Sequence, residues 1–354
     1  MKQRKFGYKA TYLQGRHLIA IFLDPTILQP PVCHPMATAT LATPRFLTSS
    51  PPAPAPARVR RRKTKHFLRP ACAYALQEGQ SRRFHRLPCG LDLEVIEQRP
   101  PAPGERPPLV FVHGSFHAAW CWAEHWLPFF SRAGFPCYAL SLRAQGESSI
   151  PQEAVAGTLE KEVPLPPVLI GHSFGGLIVQ QYISCLQGSE LLHPNLAGAV
   201  LVCSVPPSGN SGLVWRYILT KPIAAVKVTL SLAAKAYANS LSLCKETFFS
   251  PQMDDGLVLR YQALMKESSK LPLFDLRKLN ASLPVPSVPE SITKILVMGA
   301  SNDFIVDSEG LSETSRFYRV QPVCVEGVAH DMMLDCSWEK GAEIILTWLE
   351  KLTP

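Results

Sequence analysis

The sequence predicts an α/β fold, a mostly parallel, twisted sheet with helices on both faces and a helical lid inserted late in the chain. Three observations predict it. Short apolar runs alternate with longer helix-compatible stretches, the pattern of strands joined by crossover helices. The runs are continuously apolar and not alternating, as strands covered on both faces must be. Turns bearing Gly, Ser, Asp and His follow them, at the carboxyl ends where open parallel sheets carry their sites.

In chain order, the first 83 residues stand apart. Residues 1–86 hold 16 Lys/Arg against 2 Asp/Glu, and the remainder holds 20 against 26. The net charge of +8 therefore belongs to a tail. The remainder is mildly acidic, which argues against nucleic-acid binding by the folded part. No Asp or Glu occurs between Asp24 and Glu78, and the stretch from Met36 is rich in Ala, Thr, Ser, Pro and Arg. Such a composition cannot build a packed core. It is expected to be a disordered, basic, transit-peptide-like segment over 1–83. Its Met-Ala start and Ser/Thr/Ala bias resemble plant chloroplast transit peptides, which implies a stromal location. Residues 1–35, upstream of Met36, read as an extended start. The run Arg58–Lys65 could touch anionic lipid or RNA, and presequence charge is the simpler reading.

Residues 84–354 are expected to form one domain. Its candidate strands are Leu91–Ile96, Leu109–Val112, Cys137–Leu142, Val168–Gly171, Ala199–Cys203, Ile295–Met298 and Val320–Val325. The segment from Pro206 to Pro289 breaks the alternation and reads as the lid, with helical stretches at Val214–Leu243 and Gly256–Glu267. The last helix, Trp338–Leu352, places Ile344, Ile345, Trp348, Leu349 and Leu352 at helical spacing. Between Leu142 and Val168 only about Ala154–Val163 remains for a helix, as if a turn or two were missing through an alternative transcript or gene model. The ten cysteines form no CxxC pair and read as small core residues. No apolar stretch reaches the roughly 18 residues that span a bilayer.

Four segments carry chemistry. Gly171-His172-Ser173-Phe174-Gly175 is G-x-S-x-G directly after an apolar strand and before a helical run, the context of a nucleophile elbow. Ser173 must sit in a strained turn, so Gly171 and Gly175 are needed beside it to let strand and helix approach. Leu109-Val-Phe-Val-His113-Gly114-Ser115 follows an earlier strand. Its loop, with the backbone N–H groups of Ser115 and Phe174, is the candidate oxyanion hole. His113 and Gly114 read as structural parts of that loop, and His117, His125 and His172 receive no role. After Ile295–Met298 the turn offers Asp303 as acid, with Asp307 as alternative. After Val320–Val325 and Gly327, His330 is the candidate base, while Asp331 reads as a loop or cap residue. The order Ser173, Asp303, His330 matches the Ser…Asp…His order of such elbows.

Together these residues resemble the α/β-hydrolase superfamily over residues 84–354. His113-Gly-Ser-Phe-His-Ala-Ala-Trp-Cys-Trp is similar to the opening of plant methylesterases and hydroxynitrile lyases. The resemblance implies cleavage of small or medium carboxylic esters through an acyl-enzyme, with no metal or organic cofactor. In the lid, Trp215, Tyr217, Ile218, Phe248 and Phe249 are candidates for an apolar pocket or for lid core. Two other functions fit the same sequence, a lyase or acyltransferase on the same triad and a non-catalytic ligand-binding module. The partner expected is a small-molecule ester.

Overall fold

A computed structural model of the chain describes residues 74–352 except 88–89, 103, 150–164, 187–195, 274–278, 280–281 and 290–292. Most of the expected presequence, and the short helix expected at 154–163, therefore lie outside the described residues.

Eight strands form one sheet: β1 Gln80–Arg86, β2 Asp92–Gln98, β3 Leu109–Val112, β4 Cys137–Leu140, β5 Val168–His172, β6 Gly198–Val202, β7 Ile295–Ala300 and β8 Pro322–Val325. Their spatial order is β1-β2-β4-β3-β5-β6-β7-β8. From β4 to β8 every neighbouring pair is parallel, whereas β1 and β2 are joined antiparallel at one edge. The order reverses at β3, with β4 on one side and β5 on the other, and a doubly wound sheet opens a crevice at such a switch point.

The continuous apolar runs are explained by burial on both faces. Phe111, Ile170, Val202 and Met298 point into one core with Trp122, Trp126, Phe130, Ile345 and Leu349. Val110, Val112, Leu169 and Leu201 point into the other with Val179, Tyr182 and Ile183. Helices α1 (Trp120–Ala123), α2 (Trp126–Arg132) and α9 (Trp338–Glu350) supply the first face. Helix α3 (Phe174–Cys185) supplies the second, with Phe317 and Tyr318 from the end of α8 (Ser308–Tyr318).

The structure corrects two boundaries. Strand β1 starts at Gln80, inside the stretch assigned to the disordered tail. It escaped notice because Gln80–Arg86 is a polar, mostly exposed edge strand with no apolar face. Its arginines instead pair with the next strand, Arg82 Nε at 2.7 Å from Glu94 and Arg83 Nε at 2.6 Å from Glu97. Charged side chains on an edge also discourage pairing with another sheet. The second correction concerns the helix expected at Val214–Leu243. It is broken into α4 (Ser211–Thr220), α5 (Pro222–Leu232), a 3-10 turn at Ala236–Asn239 and the start of α6 (Leu241–Phe248). Pro222 restarts the helix at its first position, where a missing N–H costs nothing. Lys235 adopts the left-handed conformation, φ +52°, and ends α5's path. Helix α7 spans Asp255–Ser268 and is capped by Asp254, whose Oδ1 accepts from Leu257 N–H at 3.0 Å.

Candidate active site

Register places the first two loops together. Strand β3 pairs with β5, Val112 opposite Gly171. The turn after β3 therefore lies against the turn after β5. Ser173 takes φ +54° and ψ −122°, a conformation costly for a residue with a Cβ. The surroundings impose it. Ser173 N–H donates to Val202 O at 3.1 Å, and Ser173 O accepts from Val205 N–H at 3.1 Å and Gly176 N–H at 3.0 Å. Helix α3 starts at the next residue. A Cβ at Gly175 would meet Val112 O and, at 2.6 Å, His113 O; one at Gly171 would stand 2.7 Å from Gly175 O. Gly114 has the same constraint from the other side, since a Cβ there would lie 2.8 Å from Ser173 Cβ.

His113 anchors the β3 loop. Its Nδ1–H donates to Gly114 O at 2.7 Å and its Nε2 accepts from Leu142 N–H at 2.9 Å. Burial lowers its pKa to about 3, so the ring is neutral, as an accepting Nε2 requires. Ser115 follows, half-buried, and among the described residues its N–H has no acceptor. Phe174, the other expected donor, opens α3, where backbone N–H groups point at the turn and the helix field favours negative charge.

Asp303 and His330 meet, although 27 residues separate them. His330 Nδ1 lies 2.8 Å from Asp303 Oδ2 and 3.0 Å from Oδ1, with side chains 2% and 1% exposed. Asp303 Oδ1 also accepts from the N–H groups of Ile305 and Val306 at 2.7 and 2.8 Å, which fixes the carboxylate. Burial alone disfavours a charged His330, but the carboxylates of Asp303 and Asp331 outweigh it and raise the pKa. The alternative acid, Asp307, is used elsewhere. It caps α8 through Gly310 N–H and binds Arg216 of α4 in a fork, at 2.7 and 3.0 Å.

The imidazoles of His172 and His330 stand 4.7 Å apart, centroid to centroid, so the turn bearing Ser173 faces the loop bearing His330. His172 Nε2–H donates to His330 O at 2.9 Å. Ser173 is 6% exposed. Among the described residues its hydroxyl makes no hydrogen bond with His330.

Two histidines left without a role in the sequence, His117 and His172, form a buried network with Asp331 behind the site. His117 Nε2 lies 2.9 Å from Asp331 Oδ2, and its Nδ1–H donates to Ser115 O at 2.8 Å. His172 Nε2 is 3.7 Å from Asp331 Oδ1. Burial would raise the Asp331 pKa, yet the three histidines lower it. Asp331 is thus a buried anion within its loop. No local pattern could have marked this network, because its members meet only in the folded chain. Two groups come within metal-ligating reach, His172 with His330 and Asp331, and Cys203 with Asp303 and His330. Both are knit by their own hydrogen bonds, and burial pushes the Cys203 thiol well up. His125 sits apart, its ring stacked on Trp338 at 4.9 Å.

Comparison with known proteins agrees with this architecture. The chain is 33% identical over 111 residues to protein phosphatase methylesterase 1 of Homo sapiens, a stretch covering 28% of each chain. It is 32% identical over 125 residues to norfluorocurarine synthase 1 of a Strychnos species, covering 30% of this chain and 44% of that one. The chain thus spans less than half the length of these curated relatives. Among solved structures, an esterase from Exiguobacterium antarcticum superposes with a TM-score of 0.55 at 16% identity, over 75% of this chain and 98% of its own. That likeness is one of fold. Residues 109–343 match the model of the alpha/beta hydrolase family, and the chain belongs to that family.

Proposed function

We propose that the chain is a serine hydrolase cleaving carboxylic esters with a small or medium apolar group, through an acyl-enzyme. One observation carries the reading. The buried Asp303 carboxylate holds His330 by Nδ1, which leaves Nε2 as the ring nitrogen able to accept a proton. In the first step His330 Nε2 takes the hydroxyl proton, and Ser173 Oγ bonds the ester carbon, whose oxygen becomes an oxyanion. The N–H groups of Ser115 and Phe174 are the donors for that charge. Collapse breaks the C–O bond, and His330 returns the proton to the departing alcohol. Water repeats the sequence on the acyl group. Catalytic contacts in ligand-free sites are often long and tighten on substrate binding, so the open Ser173–His330 pair is compatible with this role.

A fluorophosphonate probe followed by a series of p-nitrophenyl esters of rising chain length tests the reading. Labelling at Ser173 and turnover of the shorter esters are expected. Folded protein that neither labels nor turns over would leave a ligand-binding module. A second reading is a lyase or acyltransferase on the same three residues. Product analysis with and without a competing alcohol separates the two. We also propose plastid import through the basic segment 1–83; a reporter fused to residues 1–86 that remains cytosolic sinks that idea.

A further inference from the structure

The helical hairpin α4–α5 is apolar on two sides. Leu213 and Tyr217 of α4 and Ala225 of α5 are buried against the body. Two residues further along α4, on the opposite side of the helix, Trp215 and Leu219 are 65% and 77% exposed. Ile218 continues that stripe, and Ile223, Val226 and Leu230 repeat it along α5, with Ile223 76% exposed. More than half of the large apolar side chains exposed among the described residues fall between residues 214 and 230. A contiguous patch of this kind marks a contact surface, whereas scattered apolar residues do not.

The charge of the segment says what fits it. No Asp or Glu occurs between Glu190 and Glu246, while Arg216, Lys221, Lys227, Lys235 and Lys245 lie within it, Lys245 being paired with Asp255. Arg216 and Lys227 are partnered by Asp307 and Glu246 from neighbouring elements. Lys221 and Lys235 flank α5 and form no salt bridge among the described residues; each sits over a ring, Tyr217 at 5.9 Å and Phe116 at 5.8 Å. Aliphatic residues and a tryptophan on one face, rimmed by lysines able to extend their ammonium groups, are the composition of a helix that lies in a membrane interface. A second copy is a poorer match, since a two-fold contact would set the same cationic segment against itself.

We infer that the outer face of α4–α5 docks on a lipid surface carrying anionic headgroups, with the apolar stripe in the acyl boundary and Lys221 and Lys235 at the phosphates. This does not depend on the ester-hydrolase reading. Docking sets the hairpin beside the candidate site, because Lys235 lies over Phe116, the residue after Ser115.

Vesicle co-sedimentation and Trp215 fluorescence test it on the full chain. Mixed phosphatidylcholine–phosphatidylglycerol vesicles should bind the protein and shift its emission to the blue, and pure phosphatidylcholine should bind less. Trp215→Phe should keep binding and lose the shift. The double variant Leu219→Ser, Ile223→Ser should lower the partition coefficient about tenfold or more, with an unchanged circular dichroism spectrum. Because residues 1–73 are basic, they offer a rival contact. If the tail alone makes it, the double variant binds like wild type and Trp215 does not shift, and the inference fails. It fails equally if neither vesicle binds, if anionic lipid makes no difference, or if sedimentation equilibrium shows a dimer that the double variant dissolves.

Discussion

His117 Nε2 lies 2.9 Å from Asp331 Oδ2, with both side chains buried, across 214 residues of sequence. The other ring nitrogen must carry hydrogen, because it faces the carbonyl oxygen of Ser115. One end of this pair grips the loop of Ser115 and the other is the chain neighbour of His330, so it ties two candidate catalytic loops together.

Asp331→Ala should consequently be costly to the fold. Removing one member of a buried pair typically costs about 3–5 kcal/mol, measurable by urea denaturation at neutral pH. The Asp331 pKa is lowered in the folded chain. Its stabilisation is thus present above the ordinary value of 3.8 and lost as pH falls through the folded value. The gap between wild type and variant should close in acid. Equal stability at neutral pH would remove the pair from any structural role.

Ser173→Ala should abolish turnover, by about 10⁶ if Ser173 and His330 act as one unit. Folding should be unaffected in circular dichroism and thermal melting, since the hydroxyl makes no hydrogen bond with His330 among the described residues and Ala retains the Cβ. Retained ester hydrolysis would mean that another residue attacks.

Asp303→Asn probes orientation and charge together. The amide cannot hold the imidazole as the carboxylate does, and about 10⁴ in kcat is lost when this substitution leaves the wrong tautomer. The pH profile gives a second readout. His330 is raised above 6.5 largely by Asp303 against the opposing effect of burial. In wild type kcat/KM should climb through a pKa above 6.5, as the base must be neutral. In the variant the residual limb should move to lower pH. A limb that stays in place would assign the titration to another group.

The elements legible in the sequence are those whose cause is local. Ser173 announces itself because its turn admits only small neighbours, so Gly171, Gly175 and Gly176 mark it within six residues. Strands β3, β5 and β6 are legible because burial on both faces leaves them continuously apolar, but for His172 at the end of β5. Asp303 and His330 follow from chain order after two further strands. What stayed hidden depends on partners distant in sequence. Strand β1 is a polar stretch that becomes a strand only beside β2, where Arg82 and Arg83 find Glu94 and Glu97. Asp331 resembles a surface residue until His117 is folded against it.

Gly114→Ala tests how tightly the two loops must approach. The added Cβ would stand 2.8 Å from Ser173 Cβ and 3.2 Å from both His172 Nδ1 and His172 O. The backbone oxygen cannot move away cheaply, and His113, whose ring holds Gly114 O and Leu142 N–H, prevents the loop from retreating. Overpacking of this kind costs about 1–3 kcal/mol. The loop must also carry the Ser115 N–H away from its position, and a displacement of about 1 Å at a reacting centre can cost 10²-fold. The expected outcome is a folded variant with kcat down by about that factor and KM little changed. Gly104→Ala, where nothing lies within 4 Å of the added carbon, is the matched control and should behave as wild type. If Gly114→Ala keeps full kcat/KM, the Ser115 N–H is not the donor that stabilises the oxyanion.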